Sequence, residues 1–226
     1  MKKHGKRFRK SAELVESGVR YSIPDAVRIL KQFEGAKFDE TVEVVMRLGI
    51  DPKRADQLIR GTIILPKGTG KTARVLVFAE GAKAEEAQEA GADFVGSEDL
   101  VKKIEGGWLD FDVALASPDM MRKVGKLGRV LGPHGKMPSP KSGTLTDNLA
   151  QSVKEFKGGK IEFRNDDTGN VHVPVGKKAF SAEDLVANIE AFVNHIGGLR
   201  PPAAKGIYIQ NVSVSTTMGP GISLAI

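Results

Sequence analysis

Gly68-Thr-Gly-Lys-Thr-Ala-Arg-Val-Leu-Val-Phe-Ala79 is where the grammar of this 226-residue chain changes. The run Val75–Ala79 is short, apolar and continuous, as expected of a strand buried on both faces of a parallel sheet. Upstream the pattern differs. From Thr41 to Leu48, Val42, Val44, Met46 and Leu48 alternate with Glu43 and Arg47, the signature of a strand with one wet face. Downstream, short apolar runs alternate with helical spacings. A helix near 83–90 precedes a strand at Asp93–Val95, and a helix through Leu100, Val101 and Ile104 precedes a buried strand at Val113–Ala116. A short helix near Met120 and a last one capped by Thr146, with Leu149, Val153 and Phe156 on one face, complete this part.

Gly158-Gly159 returns the chain to its first style. Ile161 and Phe163 alternate with Glu162 and Arg164, Asn165–Asn170 makes a hairpin loop, and Val171, Val173 and Val175 pair back. Ser181 caps a helix that carries Leu185, Ile189, Phe192, Val193 and Ile196. A last strand is expected from Ile207 to Thr217. In the first segment, Ser22-Ile-Pro-Asp25 opens a helix and Thr62–Leu65 is a second strand. The outer segments supply two helices and about five mostly antiparallel strands, enough apolar surface for one α+β sandwich but not for two domains. The expected fold is a discontinuous α+β domain, residues 1–67 plus 160–226, carrying an inserted three-layer, Rossmann-like α/β domain, residues 68–159. The two crossings, near 67 and 159, would form a hinge.

Charge points to an anionic partner. Residues 1–67 hold 15 Lys and Arg against 9 acids, while the middle and last segments are each balanced at 13 to 13 and 6 to 6. The middle segment is itself polarised: residues 120–159 hold 8 bases and 2 acids. Within it, Lys126–Lys141 is dense in Gly, Pro and base and has no acid, so it reads as a kinked loop suited to a polyanion. The N-terminal Met1–Lys10 arm is basic with no apolar segment after it. It is read as a solubilising tail or an RNA-gripping extension, not as a secretory signal. The chain has no Cys, so disulfides and thiolate chemistry are excluded, and no apolar run approaches the roughly 18–20 residues that span a bilayer. A reducing, cytoplasmic setting without membrane contact follows.

Enzyme motifs fail on inspection. Leu65-Pro-Lys-Gly-Thr-Gly-Lys-Thr72 nearly matches a phosphate-cradling loop, with Lys71 and Thr72 in place. Its first Gly is Leu65, and a strand rather than a helix follows, so no helix N-terminus faces the phosphates. A P-loop-like nucleotide-binding protein is therefore the disfavoured alternative. The four His are scattered and make no metal motif; no catalytic group, metal or cofactor is expected.

Three other places suit RNA. Lys37 and Phe38, between a helix and a strand, set a base beside a ring that can stack. In the last strand Ile207 and Ile209 share a parity with Asn211, Ser213, Ser215 and Thr217, so the stripe ends polar. Ser215–Gly221 then offers hydroxyls, Met218 and the bare backbone of Gly219 for close approach to ribose.

Lys37–Glu43, Leu48–Pro52, Gly91–Gly96, Lys126–Pro133, Ile161–Asp166 and Thr216–Pro220, in that order, resemble the family of bacterial large-subunit ribosomal protein number one, the protein of the mobile stalk beside the exit tRNA site. The resemblance implies the same two-domain organisation, on the cytoplasmic large subunit, as a monomer when free. It implies binding to large-subunit ribosomal RNA, release of exit-site tRNA, and repression of the protein's own operon mRNA. It places RNA contacts on Lys37, Phe38, Thr41, Asp166, Asp167, Thr168, Gly169, Thr217, Met218 and Gly219; the strand reading adds Ser215. Arg7, Arg9, Lys126, Arg129, Lys136 and Lys141 are expected as secondary basic contacts. The chain departs from the family pattern at His134, an imidazole in place of a permanent charge, with Lys136 adding one nearby.

Overall fold

The computed structural model describes residues 4–226. Met1, Lys2 and Lys3 of the basic arm lie outside them. The chain divides into two compact units, one made of the chain up to Gly70 together with Phe163–Ile226, the other of Lys71–Glu162. Among the described residues no helix is long and apolar enough to cross a membrane.

The first unit opens with α1 (Lys6–Glu13), a helix that begins in the basic arm, runs past it, and was not expected from the sequence. α2 (Ile23–Gln32) begins where Ser22 Oγ accepts from the Asp25 N–H, with Pro24 in the first turn, and buries Ala26, Val27 and Leu30. β1 (Thr41–Leu48) buries alternate residues, and β2 (Arg60–Ile64) follows.

The second unit follows the chain through β3 (Val75–Phe78), α3 (Ala82–Glu89), β4 (Phe94–Gly96), α4 (Glu98–Glu105), β5 (Val113–Ala116), the short α5 (Met121–Val124) and α6 (Gly128–Leu131), and α7 (Leu149–Lys157). Its three-stranded parallel sheet runs in the order β4-β3-β5. All four β3 residues are buried, because apolar clusters cover both faces of the sheet. Leu76 and Phe78 pack with α4, Phe111, Leu127 and Leu131 on one side; Val75 and Val77 pack with Ala87, Leu149, Val153 and Phe156 on the other. The cap of α7 is Asn148, not Thr146: Asn148 Oδ1 accepts from the Gln151 N–H at 3.2 Å, and Thr146 Oγ1, two residues earlier, accepts from the Asn148 N–H at 3.2 Å.

Gly68 and Gly70 take positive φ, no helix follows them, and Lys71 Nζ donates to Asp112 Oδ1 at 2.8 Å. The stretch that resembled a phosphate loop is a linker into a strand.

The chain returns through β6 (Lys160–Arg164), paired with β2, then β7 (Asn170–Lys177), α8 (Ala182–Gly198), β8 (Ile209–Thr216) and the two-residue β9 (Ile222–Ser223). Among the described residues, and with β6 counted by its Phe163–Arg164 end, the first unit holds three helices and six strands, divided between a four-stranded sheet, β7-β1-β8-β9, and the β2-β6 pair. β1 pairs antiparallel with both β7 and β8. Pro174 sits in β7, at the sheet edge where its missing N–H leaves no ladder bond unmade. The last strand begins at Ile209; Ile207 is outside it and 76% exposed.

The buried face of this sheet, Val42, Val44, Met46, Val171, Val173, Val175, Val212 and Val214, lies under α2 and α8. Phe192 of α8 meets Phe163 edge to face at 6.0 Å. Asn188 of α8 is fully buried among these apolar groups. Its Oδ1 accepts from the Lys67 N–H at 3.0 Å, and its amide donates to the carbonyls of Gly68 at 2.9 Å and Val175 at 2.8 Å. One side chain therefore satisfies three backbone groups where the chain leaves the sheet.

Candidate nucleic-acid interface

The helices cover one face of the four-stranded sheet, and the other face is open. Cross-strand register sets its rows: Pro174, Glu43 and Ser215; His172, Val45 and Ser213; Asn170, Arg47 and Asn211. These side chains are partly or fully exposed, mostly small, and rich in hydroxyls and amides. The polar stripe read in the last strand is this face, and Val212, Val214 and Thr216 form the buried one.

The expected contact residues fall at opposite ends of β1, Thr41 and Leu48, seven residue steps or about 23 Å of strand apart. At the Thr41 end, the segment before β1 meets the turn after β8. The Thr217 N–H donates to the Thr41 carbonyl at 3.0 Å, and Thr217 Oγ1 accepts from the Thr41 N–H at 3.0 Å. Lys177 Nζ donates to Thr41 Oγ1 at 2.9 Å. Glu40, only 3% exposed, bridges the same two segments. Its Oε1 accepts from the Ala36 N–H at 2.6 Å and its Oε2 from the Met218 N–H at 3.2 Å. Burial alone would raise the Glu40 carboxyl; hydrogen bonds, including these two, together with the Lys178 charge, outweigh it and hold the group below the usual carboxylate range. Gly219 closes the turn because a Cβ there would stand 2.4 Å from Thr216 Oγ1 and 2.9 Å from the Phe33 ring. Out of this well-tied base project Lys37, Phe38, which is 55% exposed, and Met218, 49% exposed. Ser215 lies on the adjoining open face.

At the Leu48 end sits the Asp166–Gly169 loop. Asp166 accepts from the Thr168 N–H and Oγ1 at 2.9 and 2.8 Å, and from the Asn170 N–H and Nδ2 at 2.7 and 3.2 Å. Burial pushes its carboxyl up, but these donors hold it far below the ordinary range. Asp166 is therefore committed to shaping its own loop, while Asp167 and Thr168 are exposed. Gly169, at φ +82°, brings its carbonyl to the Leu48 N–H at 2.9 Å. Beside this loop is a groove of about 780 Å³ whose lining includes Arg47, Arg54, Thr168, Lys205 and Gln210. Arg54 is paired with Asp56; Arg47 and Lys205 bring further positive charge. Sequence reasoning did not place Arg47, Arg54 or Lys205 in the site, and it gave Asn211 and Ser213 only as part of the polar stripe of the last strand. Arg47, Asn211 and Ser213 were signalled by strand parity alone, whereas the groove depends on loops distant in sequence.

The secondary basic residues divide. Arg7 and Arg9 lie on α1, which touches the Thr41 end through Arg7 donating to the Gly35 carbonyl at 3.5 Å. Lys126, Arg129 and Lys141 are exposed on the second unit. Lys136 is a correction. Its Nζ donates to the carbonyls of Leu109, at 3.0 Å, and Phe111, and lies 4.8 Å from the centre of the Phe111 ring, so its charge supports its own unit's interior. The Lys126–Lys141 stretch is likewise less open than expected, because Leu127 and Leu131 anchor it in the core.

The open face thus carries hydroxyls and amides, with cations and exposed apolar side chains at its ends. Among the described residues no group of His, Asp and Glu could hold a metal ion. The chain belongs to the ribosomal protein L1p/L10e family, whose model matches residues 30–220. It is 56% identical over 224 residues to large ribosomal subunit protein uL1 of Gemmatimonas aurantiaca, covering 99% of this chain and 97% of that one. It is 53% identical, with the same coverage, to large ribosomal subunit protein uL1 of Kosmotoga olearia. Family membership makes it a structural ribosomal protein and not an enzyme.

Proposed function

We propose that the protein is a constituent of the cytoplasmic large ribosomal subunit that binds a structured element of ribosomal RNA across the open face of its four-stranded sheet. The observation that carries this reading is that the exposed Lys37, Phe38 and Met218 and the cationic groove beside Asp166–Gly169 stand at opposite ends of β1, joined by the open polar rows of the sheet. Lys37, Arg47 and Lys205 meet phosphates; Phe38 and Met218 pack on a base or ribose; Thr41, Ser215, Thr217 and the backbone at Gly219 approach 2′-hydroxyls. Asp167 and Thr168 supply the second rim, with Asp166 and the buried Gly169 holding their geometry. Arg7 and Arg9, and on the second unit Lys126, Arg129 and Lys141, add weaker phosphate contacts. The last three suit an exit-site tRNA on its way off the ribosome. An operon mRNA that imitates the ribosomal element would compete for the same sheet face and so be repressed.

The test is filter binding to a ribosomal RNA stalk fragment, with tRNA and ATP as competitors, over a salt series. Tight binding that resists both competitors, with affinity falling steeply as salt rises, is expected. Displacement by tRNA at equal concentration, or a slope below about two released ions, would contradict a specific, phosphate-led surface.

A further inference from the structure

A buried acid at the edge of a surface for a polyanion is electrostatically misplaced: it costs desolvation and repels the ligand. Glu40 occupies such a place, one residue before Thr41 and two after Phe38. It is too enclosed to touch a ligand, yet its two oxygens are divided between segments far apart in sequence. Oε1 takes the Ala36 N–H and Oε2 the Met218 N–H, across 178 residues. Its backbone carbonyl takes the Lys178 N–H at 2.8 Å, and the neighbouring Asp39 Oδ1 takes the Ala179 N–H at 3.1 Å. Three segments, 36–41, 178–179 and 216–219, therefore converge on this short acidic turn. The exposed Phe38 and Met218 stand on either side of it.

We propose that Glu40 is a positioning residue for RNA recognition: its carboxylate fixes the segments bearing Phe38 and Met218 in their binding arrangement before RNA arrives. The inference rests on the reading that these two side chains meet RNA. Prior fixing matters because ordering two loops at the moment of binding would subtract from affinity. Only a carboxylate can perform this role. It accepts on both oxygens, whereas a glutamine of the same shape has one acceptor and presents an NH₂ to the second N–H.

The sign of the effect separates positioning from mere charge. Glu40→Gln removes a negative charge next to a polyanion site, so a purely electrostatic role predicts tighter binding. Positioning predicts weaker binding, by about 10-fold or more, through faster dissociation. The dependence on salt should stay unchanged, because no phosphate contact is lost. The assay compares wild type, Glu40→Gln and Met218→Asp on the same rRNA stalk fragment, with folding checked by circular dichroism. A folded Glu40→Gln protein that binds as tightly as wild type, or more tightly, overturns the inference. If Met218→Asp weakens binding while Glu40→Gln does not, the surface stands and only the role of Glu40 falls. If Met218→Asp binds like wild type, the surface itself is wrong and this inference falls with it. Should Glu40→Gln not fold, hydrogen exchange of the wild-type protein decides. Ala36 and Met218 amides already protected without RNA support fixing in advance; amides that exchange freely until RNA is added overturn it.

Discussion

Met218→Asp is expected to weaken binding of the ribosomal RNA fragment by about 100-fold or more while leaving the folding transition in urea almost unmoved. Met218 is 49% exposed in the turn after β8, and its side chain is not part of the core. Replacing it therefore costs the fold little. In the complex the change removes an apolar contact and sets a carboxylate among phosphates, a like-charge juxtaposition worth several kcal/mol. At about 1.4 kcal/mol per decade, 100-fold corresponds to about 3 kcal/mol. Phe38→Ala tests the same end without adding charge. Loss of one ring that stacks on a base costs about 1–3 kcal/mol, roughly tenfold to a hundredfold in affinity. Equilibrium binding of both variants provides the check. Unchanged affinity in both would remove the Thr41 end of the sheet from the interface.

Asn188→Leu should have the largest effect on stability. Leucine matches asparagine in size but leaves the Lys67 N–H and the Gly68 and Val175 carbonyls without their side-chain partner. Each buried polar group deprived of its hydrogen bond costs about 1–3 kcal/mol, and partial relaxation brings the sum to about 4 kcal/mol. That is a large fraction of the stability of an ordinary domain. Urea unfolding monitored in the first unit should show a markedly lower midpoint with an unchanged slope. A loss below about 1 kcal/mol would mean that water replaces the asparagine freely, and the position would not be the pinned junction described above.

The sequence carried the local rules well and the long-range ones poorly. The strict alternation of Val42, Val44, Met46 and Leu48 identified β1 and its wet face, because one face of that strand is covered by helices. The continuous Val75–Ala79 run announced a sheet covered on both sides, and the clusters on either side of β3 are the reason. The Ser22 and Ser181 caps were legible because a side-chain oxygen and an N–H three residues on are fixed by local geometry. Thr146 misled because two candidate caps stand two residues apart, and Asn148, nearer the first apolar residue of α7, takes the position. Lys136 looked like one more cation in a basic loop. Its inward course depends on the Leu109 and Phe111 carbonyls, which nothing local reveals. Asn188 offered a signal that went unread, a polar residue at helical spacing on the stripe of Leu185, Ile189 and Phe192.

The candidate site shows the same division. Motifs located its two ends, but their separation by the length of β1, and the polar rows joining them, follow from the register of β7, β1 and β8. The groove with Arg54 and Lys205 assembles from loops that only the folded chain brings together.

The central claim is that one RNA element spans this sheet face from end to end. Hydrogen–deuterium exchange of the intact protein, free and bound to the ribosomal RNA stalk fragment, tests it most directly. Protection gained together in segments 36–41, 166–170 and 215–219, with α2 and α8 unaffected, is the predicted result. Protection at one end alone, or chiefly over the helices on the opposite face, would contradict the account.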